Sequence, residues 1–168
     1  MSQDRHGRGE AEGAAGERPG DEEASPARGG ADAPAAAKAP PGPGPLVFFD
    51  PTTRDRDQAE ELESELGLTI WTFDPAEFCA ETFEEIAEAS AIVVEWNLQG
   101  QCGIDLLEAL LYDERTRRVP VILASAAPTR SMVTAALRCG ARSFTRKPYQ
   151  ADELRRRLAS AGARQPGS

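Results

Sequence analysis

The sequence predicts an α/β fold with one five-stranded parallel sheet and helices on both of its faces. Short runs of apolar, β-branched residues recur along the chain, and each is followed by a segment with apolar residues at helical spacing. This βα unit occurs five times within about 115 residues. Continuous apolar strands are typical of parallel strands that are buried on both faces. Regular βα alternation therefore predicts a three-layer sandwich with right-handed crossovers.

The first half of the folded segment carries clear signals for element ends. Strands are predicted at 46–50, 68–73 and 91–95. Helices are predicted at 54–66 and 75–89. Gly67 is expected to end the first helix, since glycine adopts the left-handed conformation that follows many helices. Asp74 and Pro75 have the residue types that favour the N-cap and first helical position of the second helix.

The second half continues the same alternation. Strands are predicted at 119–124 and 143–146. Helices are predicted at 103–113, 129–139 and 151–159, with Gly140 after the second of these.

The ends of the chain differ in composition from its middle. Residues 1–45 are mostly Gly, Ala, Pro, Glu and Arg, with few large apolar side chains. Such a segment cannot bury enough surface to offset its ordering entropy, so we expect it to be disordered. We place one folded domain at 46–160 and a second disordered tail at 161–168.

Charge is unevenly distributed along the chain. The net charge is −9, which does not favour a nucleic-acid partner. Residues 46–115 contain 18 acidic and 3 basic side chains, whereas 116–168 contain 2 acidic and 11 basic ones. This reversal predicts a domain with one acidic and one basic surface.

The chain gives no sign of a disulfide framework, a metal-binding motif or a membrane span. Cys79, Cys102 and Cys139 are far apart, without a CxxC pair, and the one histidine is His6. We interpret them as reduced thiols. No apolar run approaches the ~18 residues of a membrane span, and the N-terminus lacks the apolar core of a secretory signal. We expect a cytoplasmic protein.

Four polar residues stand where predicted strands end. They are Asp50, Glu95, Ser125 and Lys147. The carboxyl ends of parallel strands meet at one edge of the sheet, which is where open α/β sheets place their sites. Two close carboxylates repel each other unless a cation lies between them. We expect Lys147 to pair with Glu95 while Asp50 competes for the same ammonium group, or a bound metal to supply the charge.

Three segments resemble the receiver domains of bacterial response regulators. Residues 95–103 are similar to the segment that begins at the phospho-acceptor of that family, 120–126 to its fourth strand with a hydroxyl residue, and 140–149 to its fifth-strand motif. The resemblance covers about 46–160. It implies a flavodoxin-like fold with strand order 2-1-3-4-5.

The resemblance also assigns roles by position. Glu95 stands at the phospho-acceptor position, Ser125 at the hydroxyl that would bond a phosphoryl oxygen, and Lys147 at the paired cation. Phe144 is at the position of the switch aromatic residue, and the backbone carbonyl of Asn97 is where a metal ligand would lie.

Two departures from the family pattern bear on this chemistry. The acceptor aspartate is replaced by Glu95, and the second acid after the first strand is replaced by Pro51. Mg²⁺ prefers several oxygen ligands, so we expect its binding at Asp50 to be weak or absent, and no other cofactor. A misplacement of ~1 Å can cost on the order of a hundredfold in rate, which argues against phosphoryl transfer to Glu95. These departures indicate a pseudo-receiver with no catalytic residue.

The predicted function is signal transduction in a two-component or phosphorelay system, independent of phosphorylation, through protein binding. Only about ten residues follow the last helix, so we expect a stand-alone module. The expected contact residues are Arg138, Arg142, Arg146 and Tyr149, and the expected partner is a signalling protein with an acidic surface, or a second copy of this chain.

Three alternatives remain at this point. The first is a conventional phosphorylatable regulator, and the second is an enzyme or small-ligand binder on the same fold. No Gly-rich phosphate loop follows the first strand, and no histidine in the folded region could activate Cys102. The third is a DNA-binding protein, and the only feature that supports it is the basic second half of the chain.

Overall fold

The structure is a computed structural model that describes residues 44–163 as a five-stranded parallel sheet between two layers of helices. The strand order is β2-β1-β3-β4-β5, as the resemblance implied. The strands are β1 Leu46–Phe49, β2 Ile70–Phe73, β3 Ala91–Glu95, β4 Val121–Ser125 and β5 Ser143–Arg146. The predicted disorder of 1–43 and of 164–168 concerns segments outside the described residues.

Six α-helices and one 3-10 turn connect the strands. The helices are α1 Thr53–Glu61, α2 Glu63–Leu66, α3 Ala80–Glu85, α4 Gly103–Tyr112, α5 Arg130–Arg138 and α6 Ala151–Ala161. The 3-10 turn is Pro75–Glu77. Asp74 caps this turn as predicted, since its side chain accepts a hydrogen bond from the backbone N–H of Ala76.

Two predicted helices are divided in the structure. The helix expected at 54–66 is interrupted at Leu62, so it forms α1 and α2, and Gly67 (φ 66°) ends α2 as predicted. The helix expected at 75–89 is reduced to the 3-10 turn and α3. Cys79 is extended, and its backbone N–H donates to the Thr82 hydroxyl, which starts a new helix at Ala80. A local helix cap thus interrupts a segment for which the spacing of apolar residues had predicted one continuous helix.

The last helix is longer than predicted. It ends at Ala161, and Gly162 (φ 74°) follows in the left-handed conformation. The helix, which was predicted to end at 159, is therefore two residues longer at its C-terminal end.

The sheet separates two apolar layers. Leu46 and Phe48 of β1 face α1, α2 and α6, whereas Val47 and Phe49 face α4 and α5. Each of these four side chains is at most 1% exposed. Strand side chains alternate between faces, so a continuous apolar run is required when helices cover both sides.

The strand register brings the carboxyl ends together. Phe49 pairs with Val94, Glu95 with Ala124, and Ser125 with Arg146. Residues that follow these positions therefore lie at one edge of the sheet, where the candidate site is found. No helix within the described part of the chain is long and apolar enough to cross a membrane.

Candidate functional site

The ammonium group of Lys147 contacts three carboxylates at the carboxyl edge of the sheet. Its Nζ lies 2.8 Å from Asp50 Oδ2, 2.6 Å from Asp55 Oδ2 and 2.6 Å from Glu95 Oε2. The Lys147 side chain is 8% exposed, and those of Asp50 and Glu95 are 1% and 8% exposed. The structure thus brings together three of the four predicted residues and adds a carboxylate that the sequence analysis had not assigned.

Asp50 is the most deeply buried member of this cluster. It follows β1 directly, and its Oδ1 accepts a hydrogen bond of 2.9 Å from the backbone N–H of Thr52. Arg56 Nη1 donates to the Asp50 carbonyl oxygen at 2.6 Å and lies 3.4 Å from Asp74 Oδ2. A second cation therefore stands at the same edge of the sheet, although it contacts the backbone of Asp50 and not its carboxylate.

Glu95 is the last residue of β3, and both of its carboxylate oxygens are engaged. Oε1 accepts a hydrogen bond of 3.1 Å from the backbone N–H of Asn97. Oε2 is buried and accepts no hydrogen bond of suitable geometry from residues 44–163, although Lys147 Nζ is close. We therefore describe the contact between Lys147 and Glu95 as an ion pair held by charge, while the directional hydrogen bonds of Lys147 go to Asp50 and Asp55.

The loop after β3 turns tightly so that α4 starts beside Glu95. Gln99 (φ 52°) and Gly100 (φ 106°) are both in the positive-φ region. The backbone N–H of Gly103 donates to the Trp96 carbonyl at 2.7 Å. A Cβ at Gly103 would lie 2.3 Å from the Glu95 carbonyl oxygen, so only glycine permits this approach. Gly103 therefore fixes the position of the chain around the acceptor-equivalent residue.

Asp55 is the functional residue that the sequence analysis missed. It lies in the first turn of α1 and has a side chain that is 25% exposed. An acidic residue in a first helical turn is usually interpreted as a favourable partner of the helix dipole. Asp55 could have been identified from its place in the first turn of this helix, since the helix after β1 must begin at the same edge of the sheet as Asp50.

Ser125 and Phe144 lie near the cluster without contacting its carboxylates. The Ser125 hydroxyl accepts a hydrogen bond of 3.2 Å from the backbone N–H of Ala127, and the Ser125 carbonyl accepts one from the backbone N–H of Lys147. Phe144 is 6% exposed and packs against Trp96, with ring centroids 6.3 Å apart. The aromatic ring at the switch position therefore faces inward in this structure.

Tyr149 is not at the surface, which corrects one predicted partner-binding residue. It is 2% exposed, and its ring packs edge-on against Phe48 with centroids 5.0 Å apart. Its hydroxyl lies 3.4 Å from Asp50 Oδ2. The ring is buried in the apolar layer below the cluster, so Tyr149 supports the site and cannot contact a partner there.

The predicted contact arginines are exposed. Within residues 44–163, Arg138, Arg142 and Arg146 form no ion pair, and we call these three residues the arginine surface. The arginines of α6 differ, because Arg155 pairs with Asp152, and Arg156 and Arg157 pair with Glu153. The arginine surface thus lies on and between α5 and β5, and Arg54, Arg117 and Arg118 are further exposed arginines without an ion pair within residues 44–163.

The carboxylates determine the protonation of Lys147. Burial by itself lowers the pKa of Lys147, but the contacts with Asp50, Asp55 and Glu95 outweigh it, so the pKa is raised above its ordinary value. Lys147 therefore remains charged at any physiological pH.

The cluster does not fit Mg²⁺. This ion requires near-octahedral oxygen ligation, yet Pro51 offers no side-chain oxygen and Asp50 Oδ1 already accepts a hydrogen bond. Within residues 44–163, no group of three or more His, Cys, Asp or Glu side chains is arranged to hold a metal ion. Weak or absent Mg²⁺ binding in solution stays a prediction.

The comparisons with known proteins identify the family. A model of the response regulator receiver domain matches residues 55–159, which is more than half of the chain. The chain belongs to the response regulator receiver domain family. Receiver domains are signalling modules and not classical enzymes.

Curated relatives of the receiver domain are chemotaxis proteins. Chemotaxis protein CheY of Pseudomonas aeruginosa is 34% identical over 67 residues, which cover 40% of this chain and 54% of that protein. Chemotaxis protein CheY1 of Helicobacter pylori is 25% identical over 97 residues, which cover 58% of this chain and 71% of that protein. The chain thus spans only about half of the length of the Pseudomonas relative.

Solved structures show the same fold. Chemotaxis protein CheY4 of Vibrio cholerae superimposes with a TM-score of 0.60 at 15% identity, over 70% of this chain and 98% of that one. A response regulator receiver domain protein of Clostridium thermocellum gives a TM-score of 0.61 at 18% identity, over 70% and 93%. At these identities the likeness concerns the fold alone.

Replacement of Lys147 by alanine should destabilise the domain. The change leaves three carboxylates without their cation, and breaking a buried ion pair costs about 3 kcal/mol or more. We expect a loss of about 3 kcal/mol in the free energy of unfolding at neutral pH, measured by urea denaturation. The control is Arg155→Ala, which removes the exposed ion pair with Asp152 and should change the unfolding free energy far less. Equal midpoints for wild type and Lys147→Ala would contradict the cluster.

Tyr149 should resist alkaline titration until the domain unfolds. Burial first, and then the charges of Asp50, Glu95 and Asp55, raise the pKa of Tyr149 well above 10. The folded domain holds this proton more tightly than the unfolded chain, so the contribution of Tyr149 to the unfolding free energy should be constant below pH 10 and fall above it.

The chain has two tyrosines, so a Tyr112→Phe variant isolates the signal of Tyr149. Its tyrosinate absorbance should rise only together with the loss of far-ultraviolet circular dichroism. A rise that precedes unfolding would show that the hydroxyl is accessible in the native domain.

Proposed function

We propose that this receiver domain acts in two-component signalling by binding a protein partner, without being phosphorylated at Glu95. The observation that carries the proposal is the ion pair of 2.6 Å between Lys147 and Glu95, the residue at the phospho-acceptor position. The glutamate carboxylate carries one negative charge, where a phosphoryl group carries about −1.5 to −2. A charge of the same sign is thus permanently present next to Lys147, and it favours the activated arrangement in part.

The geometry of Glu95 supports independence from phosphorylation. Its side chain is one methylene longer than that of aspartate, and a misplaced nucleophile loses on the order of a hundredfold in rate for ~1 Å. Its two oxygens already contact Asn97 N–H and Lys147 Nζ. An incoming phosphoryl donor would have to displace the lysine contact in a site that does not fit the metal.

The alternative class, a small-ligand binder or enzyme, finds less support. A depression of about 700 Å³ lies between α1 and the residues after β5. Its lining includes three carboxylates, of Asp55, Asp57 and Glu61, and two cations, of Arg54 and Lys147. Lys147 is already paired with carboxylates, and a lining with an excess of acids disfavours anionic ligands such as phosphorylated ones.

The domain should not accept phosphate from a small donor. We expect no mass increase when the chain is incubated with acetyl phosphate and Mg²⁺ and its intact mass is measured. The matched variant is the double substitution Glu95→Asp with Pro51→Asp, which supplies the shorter nucleophile and a second carboxylate. This variant should gain one phosphoryl group.

The conventional regulator remains the direct alternative to this expectation. A conventional regulator that is phosphorylated at Glu95 would show a phosphoryl adduct on the wild-type chain and none on a Glu95→Gln variant. Because Gln keeps the shape of Glu95 and removes its charge, loss of the adduct would identify Glu95 as the acceptor and overturn the proposal.

The arginine surface supports a partner with exposed carboxylates. Arg138, Arg142 and Arg146 are exposed and form no ion pair within residues 44–163. A guanidinium group can bind a carboxylate through two parallel hydrogen bonds, and arginine is enriched among the residues that dominate binding energies. A second copy of the chain could supply such a surface, because α1 and α2 expose Asp57, Glu60, Glu61, Glu63 and Glu65.

Charge reversal on the arginine surface should reduce partner binding. We expect proteins that the full chain captures from extracts of its source cells to be lost with Arg138→Glu/Arg142→Glu/Arg146→Glu, by at least tenfold in quantitative mass spectrometry. Their capture by wild type should also weaken as salt rises, since exposed charges are screened over about 8 Å at physiological ionic strength.

The control for this experiment is Arg117→Glu/Arg118→Glu, which reverses two exposed arginines in the connection between α4 and β4. These residues should matter little, because they lie outside the arginine surface. Unchanged capture by the triple variant at low salt would place the interface elsewhere.

A further inference from the structure

A shallow groove lies between the 3-10 turn Pro75–Glu77 and α4. Its volume is about 380 Å³. Phe78, Leu98 and Leu106 give it an apolar floor, and Ala109 extends this floor along α4. A concave apolar surface of this size can accept one large apolar side chain of another protein.

The rim of the groove is acidic. Asp105 lines it, and Glu77 and Glu108 are exposed neighbours of lining residues. None of these three carboxylates forms an ion pair within residues 44–163. The segment 57–114, which contains the whole groove except Pro51 at its far end, has sixteen acidic residues and no basic one. We call the floor and these three acids the acidic groove, and it fits an apolar side chain that is flanked by cations.

One face of α5 has the complementary features. Four of its exposed residues recur at helical spacing and therefore share one side of the helix: Arg130, Thr134, Leu137 and Arg138. We call them the α5 stripe. Leu137 is 49% exposed although it is a large aliphatic side chain, and the two arginines form no ion pair within residues 44–163. The segment 115–151 around this stripe has eight basic residues and no acidic one.

The most exposed apolar side chains lie on these two surfaces. Within residues 44–163, three large apolar side chains are exposed, namely Trp71, Tyr112 and Leu137. Tyr112 is 92% exposed and lies two turns along α4 from Asp105, on the same side of the helix as that residue. Tyrosine is enriched among the residues that dominate binding energies. Each surface thus combines one exposed apolar side chain with charges of a single sign.

The acids of α1 and α2 match the α5 stripe less completely. Glu60 already accepts a hydrogen bond from the Thr72 hydroxyl, and Glu63 accepts one from the backbone N–H of Ile70. Among the described residues that line the depression beside α1, none is aromatic or a large aliphatic one. These helices therefore offer charge without an apolar floor for Leu137.

We propose that the α5 stripe of one copy of this chain binds the acidic groove of a second copy. Leu137 packs on the apolar floor, while Arg130 and Arg138 pair with the acids of the rim, which is the way in which an amphipathic helix binds a groove. A contact between two grooves or between two stripes would oppose like charges, so two different surfaces meet. The inference rests on the proposed function and deepens it, since it names a second copy as the acidic partner of Arg138.

The test is sedimentation equilibrium of the purified full-length chain at low salt, over a wide range of concentrations. The contact of a nine-residue helix with a shallow groove is small, so we expect weak association that raises the average mass as concentration increases. Added salt should reverse it. Glu77→Lys/Glu108→Lys and Arg130→Glu/Arg138→Glu should each weaken association by about tenfold or more, because each opposes like charges. Leu137→Ser should also weaken it, without any change of charge.

A mixture of the two double variants should associate again. The reversed rim of one variant then faces the reversed stripe of the other, and their unchanged surfaces also match. The control is Glu61→Lys/Glu65→Lys, which makes the same change of charge on the exposed acids of α1 and α2 and should leave association unaffected.

Three results would overturn the inference: a wild-type chain that stays monomeric at low salt, a mixture of the double variants that stays monomeric, or association that only the control variant abolishes. Circular dichroism checks that each variant is folded. If one double variant fails to fold, the other double variant decides together with Leu137→Ser and the control. No other protein and no phosphoryl donor is present, so a monomeric chain overturns self-association alone, and capture of another protein by the arginine surface tests the proposed function separately.

Discussion

The contact of one buried ammonium group with three carboxylates is the interaction on which this edge of the sheet depends. Asp50 and Asp55 lie at the junction of β1 and α1 and Glu95 ends β3, and each would be destabilising at this burial without a cation. Lys147 follows β5, which is separated from β3 by β4, so the lysine and the carboxylate side chains together bridge the strands between them. The flexible lysine side chain allows its compact ammonium group to meet three carboxylates, and the planar guanidinium of arginine would not fit them equally well.

The convergence of Asp50, Glu95 and Lys147 could be predicted from sequence because it follows from topology. Apolar runs identified the strands, βα alternation made them parallel, and parallel strands end at one edge. Asp55 could not be found in this way, since its contact depends on where α1 begins and on how far Lys147 extends. The prediction that Tyr149 contacts a partner was wrong for a related reason. Tyrosine is a residue type that suits an interface, but the ring of Tyr149 packs in the apolar layer beside Phe48. Residue type alone does not determine which face of the chain is buried.

The fold was predictable in its strands and less so in its early helices. The bounds of β3 and β5 agree with the prediction: β3 is a continuous apolar run that ends at Glu95, and β5 is a short strand between Arg142 and Lys147. The division of the segments 54–66 and 75–89 depends on single backbone conformations at Leu62 and Cys79. The capped conformation at Cys79 and Thr82 and a continuous helix differ by only a small free energy. The spacing of apolar residues does not reveal a difference of that size.

In the proposed function, the source of positive charge distinguishes this domain from a site that is controlled by a diffusible ion. A metal ion and a phosphoryl group are gained and lost reversibly, so the state of a site that uses them depends on the concentrations of the ion and of the phosphoryl donor. Here the cation is tethered at Lys147 and the negative charge at Glu95, and both are part of the folded chain. In the proposed function the domain therefore needs another variable that changes its output. Partner binding at the arginine surface supplies one, because the occupancy of exposed arginines responds to salt and to partner concentration. Regulation in this scheme acts at the surface that the partner binds and leaves the buried cluster unchanged.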